Sequence, residues 1–416
     1  MTTRPDDDQA TTAKKGETAP AWTTWGLVGG ASLISIGLAA YEIVPASVTP
    51  LIRDSLNIDS TAAGLLVGIM FGTAVVASLP VGAVLDRTNS RHAMGLAVLT
   101  LFAVGIWGWI AGQSGDYRSV IVSRAIGGVA YVIVWNAGID IVSRAVTDAN
   151  RATVVGVFTA SGPIGFALGQ GTGPLIADRF GWPAIFLAFN GFALIGLLLF
   201  WPTSRGLGRS GGDAPTLHEF GTVLRSRNVW LVGVLGFLGY SIYLFVNSWG
   251  SSYLTEEVGL SLGVSGLLVA VFPAVGVLAR ISSGVLSDRL FGGQRQPVLL
   301  GSFCLAAPLV LGFTHFQSIP ILVAILLAAG FAVQLTLGLS FTYVREIVNP
   351  RVAATAVAFQ TSIGLAGAFL APIAGGVVVD MAGFTTAFFF AGALAVCGVA
   401  VAWRAPEPAY QSSIKD

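Results

Sequence analysis

Two short segments of the chain repeat each other: Gly82-Ala-Val-Leu-Asp86-Arg87 and, 202 residues later, Gly284-Val-Leu-Ser-Asp288-Arg289. Each segment follows a long apolar stretch and ends on an acidic and a basic residue. The constant offset predicts a chain built from two similar halves.

The composition excludes an ordinary soluble protein. The 416 residues are 54% hydrophobic and 10% charged, with a mean hydropathy of +0.78, whereas soluble domains carry about 25% charged residues. A helix that crosses a bilayer needs roughly 20 apolar residues, so we expect an all-α membrane protein. Its twelve expected transmembrane helices cover residues 25–46, 61–85, 93–112, 118–141, 152–177, 182–201, 229–253, 261–287, 297–316, 319–342, 352–378 and 383–403.

The distribution of positive charge predicts the orientation. Basic residues in short loops remain on the cytoplasmic side, and this pattern places both termini in the cytoplasm, with the protein in the plasma (inner) membrane. The long polar interruption at 202–228 is a cytoplasmic linker between two pseudo-symmetric six-helix bundles, 23–201 and 229–404. Residues 1–22 are expected to form a disordered cytoplasmic tail, and 405–416 a second cytoplasmic tail.

Several function classes lack their sequence signals. There is no P-loop and no pair of histidines at bilayer depth for a haem, and no basic cluster that would suggest nucleic acid. The two cysteines lie alone in separate predicted spans, which gives no metal site. We therefore expect a monomeric transporter that is not an enzyme and has no cofactor, and a non-transporting membrane sensor is the alternative from another class.

The residues between Gly82 and Arg91 resemble the loop signature of the major facilitator superfamily of secondary transporters, and Gly284 to Arg295 is similar to its second copy. Arg124-Ala-Ile-Gly-Gly128 and Gly173-Pro174 resemble that family's motifs in spans four and five. The resemblance covers residues 22 to 404 and implies parallel halves around a central site with alternating access. It does not single out a subfamily.

The resemblance also implies a gate at the cytoplasmic side. The motif glycines lack side chains, which lets helices pack closely. Asp86 is implied to face Arg351 at the start of span eleven, and by pseudo-symmetry Asp288 faces Arg151 at the start of span five. The alternative is that these are solvated loop charges. The predicted gating residues are Gly82, Asp86, Arg87, Arg91, Gly284, Asp288, Arg289, Arg151 and Arg351.

Two arginines fall inside predicted spans, where a charge costs on the order of 3 kcal/mol. Arg280 resembles the span-eight arginine of monocarboxylate, oxalate and nitrate carriers, which implies that it meets an anionic substrate; a guanidinium binds carboxylates bidentately. An ion pair with the other half is the alternative. For Arg124 the resemblance suggests proton coupling or helix packing, and the alternative is an arginine that reaches the outer interface.

Glu42 lies in the outer half of predicted span one, and a carboxyl group in a poorly hydrated site can take up and release a proton during transport. The alternative is an interfacial glutamate paired with an arginine. Polar side chains in other spans could line the substrate site or bridge neighbouring helices. The residues chosen for substrate binding together with Arg280 are Asn136, Tyr243, Asn247, Gln334 and Gln360.

These residues support two functions of the same class. Arg280 favours proton-coupled uptake of a small organic anion, whereas Glu42 and Arg124 favour the alternative, proton-driven export of drugs or metabolites. The expected partners are a small-molecule substrate, protons and membrane lipid, and not nucleic acid.

Overall fold

The computed structural model describes residues 21–85, 87–205 and 217–407. All regular structure in these ranges is helical, which confirms the all-α class. The α-helices are α1 (Ala21–Ser47), α2 (Thr49–Leu56), α3 (Ser60–Leu85), α4 (Ser90–Gln113), α5 (Tyr117–Arg144), α6 (Asp148–Phe180), α7 (Ala184–Thr203), α8 (Leu217–Arg225), α9 (Arg227–Glu256), α10 (Leu262–Ala274), α11 (Gly276–Leu290), α12 (Gln296–Gly312), α13 (Ile319–Glu346) and α14 (Ala353–Trp403).

Ten helical segments of the described chain are long and apolar enough to cross a membrane. One of them is α14, whose 51 residues contain Gly383 at φ 79°, so the helix is interrupted between 353–382 and 384–403. Another runs through α10 and α11 and is interrupted at Val275, shortly after Pro273, because proline disrupts the helical hydrogen bonds. The 33-residue α6 is not among the ten. A count of twelve spans stays a prediction.

The division into two bundles with cytoplasmic tails also stays a prediction, and most of both tails lies outside the described residues. The expected linker at 202–228 contains a helix that the composition does not predict, α8. Among the first seven helices, α1 packs against α6 and α7, and α4 against α5. Among the later ones, α9 and α12 pack against α14. The helices α1–α7 form a first set and α9–α14 a second set. Two helix–helix interfaces, called seams below, join the two sets: α3 packs against α14, and α6 packs against α10.

The seam between α3 and α14 is tightest at the predicted extracellular side. A Cβ atom on Gly64 would lie 2.2 Å from the Pro372 carbonyl oxygen. The Asp380 carboxylate accepts hydrogen bonds from the backbone N–H groups of Ser60 and Thr61, both at 2.9 Å, and from the Thr61 hydroxyl at 2.8 Å. A carboxylate at a helix N-terminus satisfies unpaired amides and complements the helix dipole, so α14 caps α3.

A second polar contact joins the same side of the molecule. Arg53, in α2, donates to the Glu256 carboxylate at the end of α9, at 3.0 and 3.1 Å to its two oxygens. Both side chains are partly exposed, and exposed ion pairs contribute little stability. The contact therefore lies where the two sets of helices meet on the predicted extracellular side. It stabilises the closed state of that side less than the buried α3–α14 seam does.

The predicted cytoplasmic side is different. Among the described atoms, nothing lies within 4 Å of a Cβ built on Gly82 or Gly284. The expectation that these glycines mediate close helix packing is not met in this structure, because no described atom of another helix comes that close to either glycine. Asp86 lies outside the described residues, so its expected contact with Arg351 cannot be placed.

Asp288 is engaged within its own set of helices. Arg295 donates to Asp288 at 2.6 Å and to Glu346 at 2.7 and 2.8 Å. The hydrogen bonds that Arg295 donates to Glu346, and then to Asp288, raise the pKa of Arg295 above its usual value, so the guanidinium stays charged. Arg151, the expected partner of Asp288, instead donates to the Ser143 carbonyl at 3.3 Å. The predicted Asp288–Arg151 contact is therefore not made in this arrangement.

A methyl group at position 64 tests whether the α3–α14 seam holds the extracellular side shut. In Gly64→Ala, the added Cβ meets backbone and cannot be relieved by a side-chain rotation, so we expect the side to open. Spin labels are attached at Asp54→Cys and Glu257→Cys, with Cys304 and Cys397 replaced by serine. Pulsed electron–electron double resonance should then show a larger population of long distances between the two labels than in the labelled parent.

The matched control for this experiment is Gly191→Ala, in α7, where an added Cβ meets nothing within 4 Å. Its distance distribution should equal that of the labelled parent. An unchanged distribution in Gly64→Ala, or an equal change in both variants, would contradict the role of the seam.

Candidate functional site

Arg124, in the middle of α5, is fully buried. Its Nε donates to the Leu66 carbonyl at 2.6 Å, Nη1 to the Tyr41 carbonyl at 3.0 Å and Nη2 to the Glu42 carbonyl at 2.6 Å. The guanidinium also lies 5.0 Å from the Tyr41 ring centroid and 5.9 Å from that of Phe186. This cation thus links α5 to α1 and α3. The interfacial alternative requires the guanidinium to reach solvent, and it does not.

Proline explains why α1 offers a free carbonyl at this depth. In an α-helix the N–H of residue i bonds the carbonyl of residue i−4, so the Tyr41 carbonyl would pair with residue 45. Pro45 has no N–H, and the Arg124 guanidinium supplies the missing donor. The geometry accounts for Arg124 through helix packing, and its expected part in proton coupling stays a prediction.

Glu42 follows Tyr41 on the same turn and is 2% exposed. Its Oε1 atom has no hydrogen-bond partner among the described residues. Arg124 donates to the Glu42 backbone oxygen and not to its carboxyl group, although the charge of Arg124 acts on that carboxyl. Glu42 is thus a buried carboxyl group without an ion pair in the described chain, and the interfacial alternative does not hold.

Arg280, on α11, is half-buried and points across to α6. Its Nε donates to the Gln334 side-chain oxygen at 3.0 Å, and its Nη1 lies 3.9 Å from the position of a Cβ on Gly162. Within the part of the chain that the structure describes, no carboxylate lies within the 4 Å of an ion pair. The guanidinium therefore faces the other set of helices with two terminal nitrogens unpaired.

A glycine gives Gln334 the room to reach Arg280. A Cβ on Gly276 would lie 2.0 Å from the Gln334 side-chain nitrogen. The amide group is completely buried between α11 and α13, which fixes the oxygen that accepts from Arg280. Gln334 therefore orients the guanidinium from its own set of helices.

Three tyrosines are influenced by both charged groups. Tyr131 on α5, and Tyr240 and Tyr243 on α9, are each within electrostatic reach of both Glu42 and Arg280. The predicted proton carrier and the predicted anion ligand therefore act on the same three side chains.

The remaining polar residues have different positions. The Asn247 side-chain amide donates to the Tyr243 carbonyl at 2.8 Å, and the Asn247 backbone carbonyl accepts from the Gln170 side chain at 2.5 Å. Gln360 is fully buried beside Gly236, where a Cβ would lie 2.6 Å from its side-chain nitrogen. Gln170 thus joins α6 to α9, whereas neither polar atom of the Gln360 side chain has a partner among the described residues. Asn247 and Gln360 are less accessible than Arg280.

Asn136 is not brought together with the others. It is exposed and shares a face of α5 with Val122 and Ile126, which are 45% and 38% exposed. Tyr131 and Trp135, which lie near Arg280, occupy a different face of that helix. The structure therefore separates Asn136 from the expected substrate site.

Two residues of the site are absent from the sequence-based predictions. Gln170 bridges α6 to α9, and its position in a predicted span was a signal equal to that of Gln334. Trp135 lies beside Gly162, the α6 residue that also faces Arg280. An aromatic residue in an apolar helix does not stand out in the sequence as a binding residue.

A polytopic helical protein with an unpaired cation and a buried carboxyl group between its helices has the features of a membrane transporter, because intramembrane charges mark substrate and proton pathways. The family model of the Major Facilitator Superfamily matches residues 28–364 and 245–416. The chain belongs to that superfamily, as the motif resemblance predicted, and is a membrane transporter and not an enzyme.

Similar proteins include the probable L-galactonate transporter of Escherichia coli (strain K12), 24% identical over 384 residues that cover 84% of this chain and 81% of the relative. The cis,cis-muconate transport protein of Acinetobacter baylyi is 24% identical over 402 residues and 92% of both chains. The fold matches a bacterial homolog of the human lysosomal transporter Spinster in an inward-facing, unoccupied conformation, with TM-score 0.77, 15% identity and coverage of 93% and 97%.

The link between Arg124 and Pro45 can be tested with a double-mutant cycle. Arg124→Ala leaves the Tyr41 carbonyl without a donor, and a buried unsatisfied group costs about 1–3 kcal/mol, so the thermal unfolding midpoint in detergent should fall. Pro45→Ala restores the amide that pairs with the Tyr41 carbonyl, and the loss caused by Arg124→Ala should be smaller in that background.

An exposed proline provides the control for this cycle. Pro308 lies inside α12, a helix that Arg124 does not touch. Pro308→Ala should leave the effect of Arg124→Ala unchanged. Equal losses in the Pro45→Ala and wild-type backgrounds would show that the arginine does not replace the missing amide.

Proposed function

We propose that the chain is a proton-coupled secondary transporter that takes up a small organic anion and works as a monomer in the plasma membrane. The observation that carries this proposal is the Arg280 guanidinium, which has one side-chain partner, Gln334. Its two terminal nitrogens have no partner in the described ranges.

The contrast with Arg124 supports a ligand role for Arg280. A membrane-embedded guanidinium needs compensation for the water that it has lost, and Arg124 finds it in three carbonyls. Arg280 keeps an open fork directed at α6, which fits the two oxygens of a carboxylate. The names of both relatives denote carboxylate substrates, which agrees with this chemistry.

Glu42 supports proton coupling. A buried carboxyl group with an unpaired oxygen is most easily accommodated when it is protonated and neutral. A bound carboxylate neutralises Arg280 in the same way, so the loaded site carries no net charge at these two groups. We propose that this loaded form is the one that changes conformation.

Alternating access requires that the closed side open when the other side closes. The cap of Asp380 on α3 and the Arg53–Glu256 pair would then separate. At the predicted cytoplasmic side, Asp288 would exchange Arg295 for the start of α6 near Arg151, which retains the predicted gate for the other conformation.

The anion site is tested by two substitutions of Arg280. In proteoliposomes, Arg280→Ala should lower uptake of radiolabelled organic anions at least about tenfold, because a charged hydrogen bond contributes roughly 1.5–3 kcal/mol. Arg280→Lys keeps the charge without the planar fork and should retain a fraction. The exposed Arg118→Ala variant serves as the control and should transport normally. Full uptake by Arg280→Ala would reject the site.

Proton coupling is tested with Glu42→Gln, which keeps the shape of the side chain and removes its titratable proton. Uptake driven by a pH gradient should be lost, whereas exchange of substrate across the membrane without a gradient should persist. The readout is the ratio of the two rates at several external pH values. An intact response to the gradient would remove Glu42 from the coupling mechanism.

A further inference from the structure

A cleft of about 450 Å³ lies on the outer surface of the protein between α4 and α7. Leu96 and Leu99 on α4 and Leu198 on α7 line it and are exposed, and the buried Leu197 also borders it. Both helices are long and apolar enough to cross a membrane, and exposed leucines on such helices face the acyl chains of the bilayer. The cleft therefore opens toward lipid, and it shares no residue with the Arg280 site.

One end of the cleft carries a fixed positive charge. His92, in the first turn of α4, and Trp201, in the last turn of α7, line this end, and their ring centroids are 5.9 Å apart. The Arg91 guanidinium lies 4.0 Å from the centroid of the Trp201 ring. It donates through Nε to the Ser204 hydroxyl and through Nη2 to the Trp201 carbonyl, both at 3.0 Å. These contacts hold the cation beside the cleft, at the predicted cytoplasmic end of both helices.

The charge of Arg91 is not neutralised within the described chain. Its Nη1 group has no hydrogen-bond partner there, and no described carboxylate lies within the 4 Å of an ion pair. Asp140, which accepts from the neighbouring Ser90 hydroxyl at 2.7 Å, pairs with Arg144. Arg205, two residues after the end of α7, is exposed and also basic. Among the described residues, this end of the cleft therefore has an excess of positive charge and an open N–H donor.

We propose that the cleft binds an anionic phospholipid of the cytoplasmic leaflet, with its phosphate on Arg91 and His92 and one acyl chain along the leucines. A bare anion would gain nothing from the apolar walls, and a neutral hydrocarbon would gain nothing from the cation. An amphiphile with an anionic head and an acyl chain uses both parts. Guanidinium groups bind phosphate through charge-assisted hydrogen bonds, and basic residues between transmembrane helices on the cytoplasmic side attract anionic lipids.

The dimensions of the cleft fit one acyl chain. From His92 to Leu99 it follows α4 for seven residues, which is about 10 Å at roughly 1.5 Å per residue. One leaflet contributes about half of a hydrocarbon core that is about 30 Å thick. The cleft therefore holds the part of the chain next to the headgroup and leaves the end of the chain in the bilayer. Trp201 belongs to a residue type that is enriched at the membrane–water interface, which is the depth of the phosphate.

The proposal is tested by the affinity of the purified protein for two lipids with the same chains. Dioleoyl-phosphatidylglycerol and dioleoyl-phosphatidylcholine are titrated into the detergent-solubilised protein, and native mass spectrometry gives the dissociation constant of the first bound lipid. Phosphatidylglycerol should bind about tenfold more tightly, a ratio that one charged hydrogen bond can supply. Equal constants would overturn the proposal, because they are expected of lipids that only fill a groove.

Two variants locate the lipid. Arg91→Gln removes the charge and should weaken phosphatidylglycerol binding about tenfold without changing that of phosphatidylcholine. Leu198→Trp fills the cleft with a larger side chain and should weaken binding of both lipids. It leaves the contacts of Arg91 intact, so it decides the question even if Arg91→Gln does not fold. The controls are Arg118→Gln, at an exposed arginine, and Leu278→Trp, at an exposed leucine of α11; both should bind lipid like the wild type.

Three further results would contradict the proposal. A preference for phosphatidylglycerol that persists in Arg91→Gln, or unchanged affinities in Leu198→Trp, would place the lipid elsewhere. Glycerol 3-phosphate carries the charge of the headgroup without an acyl chain, and competition at the same concentration as the intact lipid would show a site for an ion only. The measurement does not involve transport, so this proposal can fail while the proposed function stands.

Discussion

A guanidinium inside a bilayer needs partners for its charge and its five N–H donors, and the two membrane-embedded arginines meet this requirement in different ways. Arg124 binds three backbone carbonyls, one of which is free because Pro45 cannot donate to it. Within the described ranges, Arg280 has only Gln334 as a partner, and it faces the opposite set of helices. The hydrogen-bond donors of Arg124 are thus used without a ligand, and this arginine stabilises the packing of α1, α3 and α5. Arg280 keeps donors without a partner in the described ranges, and this difference separates a structural arginine from a ligand-binding one.

The position of Glu42 links the two arginines. Its backbone oxygen accepts from Arg124. Its carboxyl group and the Arg280 guanidinium both act electrostatically on Tyr131 and Tyr240. The packing that holds α1 in place therefore also fixes the carboxyl group near the anion site. The two sides of the molecule differ: α14 caps α3 on one side, whereas on the other no described atom lies within 4 Å of a Cβ on Gly284. Such asymmetry is what one conformation of an alternating-access cycle requires.

The sequence predicted the parts of this structure that depend on local pattern. Long apolar windows specify membrane-length helices, and the short distance from Arg280 to a repeated motif was enough to place it deep in a span. Contacts between helices were harder to predict, because they depend on rotation about each helix axis. Asn136 was chosen for its polarity, yet it lies on a different face of α5 from Trp135, which looked like an ordinary packing residue. Packing at Gly82 was expected from the family motif and is not made here, since such contacts change with conformation.

The central claim is that Arg280 binds the carboxylate of the substrate directly. Solid-state nuclear magnetic resonance can measure this contact as dipolar dephasing between the ¹³C-carboxyl group of bound benzoate and the ¹⁵N-guanidinium groups of arginine-labelled protein in lipid. A charge-assisted hydrogen bond places nitrogen and oxygen about 2.7–2.9 Å apart, so the account predicts strong dephasing in the wild type and its loss in Arg280→Lys. Bound benzoate without dephasing in the wild type, or with equal dephasing in Arg280→Lys, would contradict it.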